Sequence, residues 1–319
     1  MINTKFCLGK PMALFCLLIL VLISLSGCKN AATQSTMASK DGAFPVTVTD
    51  DLGRKVTIKA EPQRIISLAP SNTEVLFFLG LGDRVVGVTT YCDYPEAAKV
   101  IPKIGGFKDP SLEKVVALKP DLVFATGMHA QLIKQLEDAG LTVLVIKPNT
   151  IDGIFNSFKT IAKAAGVENK TAPLTKDLQD RVDAVNKKIA SIPDNQRPAV
   201  YYEMWYEPLM SVGKNTLISE TIKLAGGKSI TADLAEQYPQ ISEEIIIEKN
   251  PDVLINSYGH DAKKVTPEEI AARKGWNELS FVKNNRIYTI ESDCLTIAGP
   301  RIVDGLEKMA QCLYPDLFK

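Results

Sequence analysis

The chain has 319 residues, 45% of them apolar and 23% charged, a globular composition long enough for about two domains. Its 37 basic residues are matched by 37 acidic ones, which excludes the large basic surface of a nucleic-acid-binding protein.

The N-terminus departs from that composition. Lys5 and Lys10 precede an apolar run over residues 12–23, and Leu25-Ser26-Gly27-Cys28 follows directly. The run is shorter than the roughly 20 residues a spanning helix needs, so residues 1–27 read as a cleaved secretory signal. Ser26 and Gly27 are small enough for a peptidase cleft, and Cys28 supplies the thiol that would carry a diacylglyceryl group. Residues 28–44, rich in Ala, Thr, Ser and Lys, read as a flexible tether. Everything beyond is expected to lie outside the cytoplasmic membrane, held there by lipidated Cys28 alone.

Residues 46–58 alternate around Asp51-Leu52-Gly53-Arg54 and predict a short β-hairpin. Strand, helix and strand then follow over residues 64–68, 70–79 and 85–88. Helices over 112–118 and 130–139, alternating with strands over 121–125 and 142–146, continue an α/β unit. Residues 150–192 hold helical periodicity, interrupted only near Gly166 and Pro173. Strands over 199–203, 253–256 and 286–290 and helices over 217–225, 243–249, 267–273 and 300–313 build a second α/β region. The expectation is two Rossmann-like lobes, residues 45–150 and 194–319, joined by one long helix over 151–193.

An internal repeat links the lobes. Ser111-Leu-Glu113-Lys-Val-Val-Ala-Leu-Lys-Pro120-Asp121-Leu-Val matches Ser242-Glu-Glu244-Ile-Ile-Ile-Glu-Lys-Asn-Pro251-Asp252-Val-Leu at a constant offset of 131 residues. Each copy predicts a helix with a serine N-cap, stopped before Pro-Asp, leading into a buried strand. Glu113 and Glu244 are therefore equivalent. Either each stabilises the first turn of its own helix, or the pair meets a partner with two basic patches.

The chain has two histidines, His129 and His260, also 131 apart and each in a loop after its strand. Loops at strand carboxyl ends line the crevice of an α/β sheet. The histidines are then either surface residues or axial ligands clamping a metal-centred macrocycle. Tyr91 lies in the polar loop Thr90-Tyr91-Cys92-Asp93-Tyr94-Pro95, where a ring suits a ligand wall better than a core. Cys92, Cys294 and Cys312 remain after processing, an odd number in no zinc-binding spacing; one disulfide among them is open in an oxidising compartment, and they read as small apolar residues by default.

Three segments carry a family resemblance. Residues 64–80 (Arg-Ile-Ile-Ser-Leu-Ala-Pro-Ser-Asn-Thr-Glu-Val-Leu-Phe-Phe-Leu-Gly), Tyr91-Cys-Asp-Tyr-Pro95 and Lys119-Pro-Asp-Leu-Val123 resemble the iron-siderophore and vitamin B12 class of periplasmic binding proteins. The likeness runs to Gly299-Pro300-Arg301 and is most similar to the cobalamin-binding branch. It implies a rigid interlobe helix, a cleft between the lobes and little hinge closure. Tyr91 and Phe107 are similar to first-lobe wall residues, and Tyr238, Asp293 and, more loosely, Trp205 to second-lobe ones. Glu113 and Glu244 match the glutamates with which the family docks onto arginines of the importer's two membrane subunits. Thr126 replaces a wall aromatic, and Ile297 stands where a basic residue is sometimes found. The implied ligand is cobalamin or a related corrinoid, with haem or a ferric siderophore as the alternative.

No serine-hydrolase elbow, phosphate loop or HExxH site occurs in the sequence, and two histidines are few for zinc or manganese capture. A monomeric, non-enzymatic binding protein with no resident cofactor is expected. Its partners are an ABC importer permease dimer and a small-molecule ligand.

Overall fold

The structure, a computed structural model, describes residues 44–258 and 265–319. The N-terminal lobe opens with a hairpin, β1 (Val46–Thr49) and β2 (Lys55–Ile58). It continues as β3 (Ile65–Ser67), α1 (Pro70–Phe78), β4 (Val85–Val88), α2 (Leu112–Ala117), β5 (Leu122–Ala125), α3 (Ala130–Asp138) and β6 (Val143–Val145). Helices α4 (Ile151–Ala165) and α5 (Glu168–Ile189) cross to the second lobe. That lobe runs β7 (Ala199–Glu203), α6 (Leu217–Leu224), β8 (Lys228–Ser229), α7 (Glu243–Lys249), β9 (Val253–Asn256), α8 (Pro267–Ala271), α9 (Ser280–Lys283), β10 (Ile287–Thr289), α10 (Asp293–Thr296) and α11 (Ile302–Leu313).

Each lobe holds a four-stranded sheet paired in parallel throughout, in the spatial orders β4-β3-β5-β6 and β8-β7-β9-β10. Counted from its own first strand, β3 or β7, each sheet reads 2-1-3-4, so the duplication extends to topology. The repeated helix leads into the third strand in both. Lys119 and Asn250, at equivalent places, adopt φ 48° and φ 39°, the left-handed geometry that stops a helix before its proline. The carboxylate of Asp121 accepts the Gln63 N–H at 2.8 Å, and that of Asp252 accepts the Ala199 N–H at 2.8 Å. The Pro-Asp motif thus pins the entry of the third strand to that of the first.

Strand residues are buried on both faces, as parallel sheets require, and alternate between clusters. Ile65, Leu122, Phe124 and Leu144 join one core, while Ile66, Val123, Ala125 and Val145 join the outer cluster of the first lobe. In the second lobe Val200, Tyr202, Val253 and Ile255 join the first core, and Tyr201 and Leu254 an outer one. The shared core includes Ile154, Phe158, Leu178 and Val182 of the crossing helices, so one apolar body spans both lobes.

The single interlobe helix expected over 151–193 is two helices. Gly166 takes φ 71° and caps α4, its N–H reaching the Ala162 and Lys163 carbonyls. An added Cβ there would lie 3.0 Å from Phe44. Pro173, read as a second interruption, lies within α5. The last helix begins at Ile302 rather than at Pro300, and the short segments β8, α9 and α10 are too brief to show a period.

Candidate ligand cleft and docking surface

Parallel strands bring their carboxyl ends to one edge, and the segments leaving that edge in the first lobe form a cleft of about 670 Å³. Ala69, Pro70 and Ser71 enter after β3, Tyr91 after β4, Thr126 after β5, and Ile146 to Pro148 after β6. The second lobe closes the other side with Asp293, Thr296, Ile297 and Ala298. A smaller depression of about 440 Å³, between Phe155 and Gln179 on α4 and α5, lies away from the strand ends where α/β folds hold ligands.

Tyr91 is 60% exposed, with its loop tied down by the Thr90 N–H to Gly105 carbonyl bond of 2.9 Å. Gly105 has φ 123°, and a Cβ would fall 2.9 Å from the Asp109 carbonyl oxygen; only glycine fits this turn. The turn presents Phe107, and His129 supports it from behind. His129 is buried, its ring edge-on to Phe107 at 5.5 Å. Nδ1 accepts the Thr126 N–H at 3.2 Å, which leaves Nε2–H to donate to the Phe107 carbonyl at 2.7 Å. Burial holds the imidazole below its ordinary value, partly offset by the Phe107 carbonyl.

That geometry corrects the reading of His129 as an axial ligand: both ring nitrogens are engaged inside the lobe. His260 lies outside the described residues, as do Cys28, the signal over 1–27 and the tether through residue 43. Among the described residues no group of three His, Cys, Asp or Glu side chains could hold a metal ion. Cys92, Cys294 and Cys312 are free thiols. Thr73 donates to Cys92 Sγ at 3.1 Å, and burial raises the Cys294 thiol and pushes the Cys312 thiol up to about 11.

The site residues fall into two sets. Tyr91, Phe107 and Asp293 share the cleft, with Thr126 and Ile297 beside them. Trp205 and Tyr238 are 43% and 49% exposed but stand outside its lining. Trp205 follows β7, donates to the Glu207 carbonyl at 2.9 Å and meets Tyr258 edge-on at 6.1 Å. Beneath them lies a buried network that sequence reasoning missed. Glu203 pairs with Arg273 at 2.6 and 2.9 Å and accepts from Tyr201 and Tyr258. The Arg273 guanidinium stacks on Tyr206 at 3.7 Å. Burial, then the Glu203 charge, raises the Tyr258 phenol, which keeps it a donor.

A second missed feature joins the lobes below the cleft. Arg301 reaches Glu74 at 2.5 Å and Asp293 at 3.2 Å, and its guanidinium stacks 4.2 Å over Tyr94. Gly299 makes room, since a Cβ there would lie 3.0 Å from Glu74 Oε2. Burial raises the Glu74 carboxyl even with Arg301 beside it. The motif residues Glu74 and Arg301 thus acquire a shared role. Glu113 and Glu244 are exposed on α2 and α7, and neither forms an ion pair among the described residues.

A family model described as "Periplasmic binding protein" matches residues 65–294. The chain is 37% identical to the ABC transporter substrate-binding lipoprotein YvrC of Bacillus subtilis, over 97% of this chain and 99% of the relative. It is 32% identical to a cobalamin-binding protein of Halobacterium salinarum, over 88% and 77%. The crystal structure of the periplasmic vitamin B12 binding protein of Vibrio cholerae superposes with a TM-score of 0.69 at 29% identity, over 80% of this chain and 98% of that one.

Proposed function

The chain belongs to the periplasmic binding protein family, whose members bind solutes for ABC importers without catalysing reactions, and from that premise we propose that it captures a corrinoid and hands it to its importer. The two-lobed parallel α/β fold is that of the family. The observation that carries the ligand reading is the open cleft, walled by Tyr91 and Phe107 on one side and by Thr296 to Ala298 on the other. Such a cleft takes up a large flat molecule by burying apolar surface at roughly 25 cal/mol per Å². The cobalamin and vitamin B12 binding of the two relatives named above supports the same choice. The lipoprotein relative and the Leu25-Ser26-Gly27-Cys28 motif support anchoring of the mature chain outside the membrane through Cys28. Glu113 and Glu244 take the docking role toward the permease dimer, and the protein acts as a monomer.

Calorimetric titration of the purified protein with cyanocobalamin, cobinamide, haem and a ferric siderophore tests the ligand. Binding of cyanocobalamin or cobinamide without haem is expected, and Tyr91→Ala should weaken it by about 1 kcal/mol or more. Binding of haem or the siderophore alone would replace the corrinoid reading with the alternative.

A further inference from the structure

The repeat duplicates more than a glutamate. Val115 and Ile246, equivalent at the offset of 131, are both fully buried, whereas their neighbours Val116 and Ile247 are 41% and 48% exposed. Each exposed residue lies three positions after Glu113 or Glu244, which places acid and apolar side chain on one helix face. Phe107 and Tyr238 form a further equivalent pair, six residues before the glutamates. Two lobes of the same 2-1-3-4 topology therefore present the same patch: a carboxylate with no basic partner among the described residues, beside an exposed β-branched side chain.

Topology also fixes where the patches lie. A helix between parallel strands runs back against them, so the first turns of α2 and α7 sit at the carboxyl edge of each sheet, the edge that borders the cleft. Exposed β-branched residues on a short helix add little to its stability. Their duplication on opposite lobes has no use for folding either lobe alone.

We propose that Val116 and Ile247 are the apolar half of a two-point docking surface whose occupant is the importer's permease dimer, each subunit offering a cation beside an apolar recess. This rests on the docking reading of Glu113 and Glu244. Twin patches on a body with one continuous core match a partner of two equal halves, and holding both at once makes each weak contact count through effective concentration. The carboxylates steer and orient, and the apolar pair slows release.

The test uses the full-length protein and its host ABC importer reconstituted in nanodiscs, with binding and ATP hydrolysis as readouts. Val116→Asn with Ile247→Asn, which removes the apolar side chains without adding charge, should lower importer affinity by about tenfold or more, leaving thermal unfolding, ligand titration and salt sensitivity unchanged. Each single variant should fall between wild type and the double. Glu113→Ala with Glu244→Ala should lower affinity and also flatten its salt dependence. Wild-type binding by the apolar double variant, with loss in the glutamate variant, would overturn the apolar half and leave the docking reading standing. Wild-type binding by both would sink that reading as well. A change in the protein's own oligomeric state in the apolar double variant would assign the patches to self-association instead.

Discussion

Protonation of His129 would remove the lone pair on Nδ1 that accepts the Thr126 N–H, while Nε2–H already serves the Phe107 carbonyl. Burial therefore favours the neutral ring and lowers its pKa from 6.5. For a base held below its unfolded value, the unfolded chain takes up the proton first. The stability tied to neutral His129 is present above about pH 6.5 and is lost as the pH falls from there toward the lower folded pKa. Thermal unfolding of wild type and His129→Gln between about pH 7.5 and pH 5 should show the wild type losing the more stability with acid. At neutral pH the variant should already be weaker by about 1–3 kcal/mol, through unsatisfied groups at Thr126 and Phe107. Parallel pH curves would remove His129 from the support of Phe107.

Elements were legible wherever period and breaker agreed, as in the strand-helix-strand opening of the first lobe and in the repeat. The repeat was the strongest signal because one sequence match implied a helix cap, a left-handed stop, a strand and a shared topology. The single long helix failed at Gly166, an interruption of the periodicity whose φ of 71° ends α4. Glycine inside a periodic run marks either a tolerated position or a C-cap, and sequence alone does not separate them. Pro173 was the reverse, a breaker six residues into α5 that does not end the helix. In the site, Tyr91 is singled out by its loop setting and Phe107 and Asp293 by the resemblance, and all three line the cleft. Glu203, Arg273 and Tyr258 were not, since charges 70 residues apart in sequence meet only through tertiary structure. Gly166→Ala should destabilise the fold by about 1–2 kcal/mol for the left-handed backbone, with more from the approach to Phe44, and leave ligand affinity unaltered. An unchanged unfolding midpoint would mean that the α4–α5 junction relaxes freely.

At the scale of the molecule, a ligand cleft between lobes need not be a hinge. The apolar core runs unbroken from the first sheet through α4 and α5 into the second, and interiors packed in this way resist bending. Arg301 adds a polar tie across the same boundary, with side-chain exposures of 12% for Arg301, 2% for Glu74 and 8% for Asp293. Removing the cation from beside the buried Glu74 carboxylate strands that charge away from water, so Arg301→Met should destabilise the protein by about 3–5 kcal/mol in denaturant unfolding. Adding Glu74→Gln should recover a large part of the loss, because the second substitution removes a charge the first has stranded. A merely local packing role would instead make the two losses add. Asp293 lines the cleft and pairs with Arg301, so the single variant should also bind ligand more weakly, through a second wall that has lost one of its ties. Arg301→Met within about 1 kcal/mol of wild type would mean that the shared core alone keeps the lobes in register.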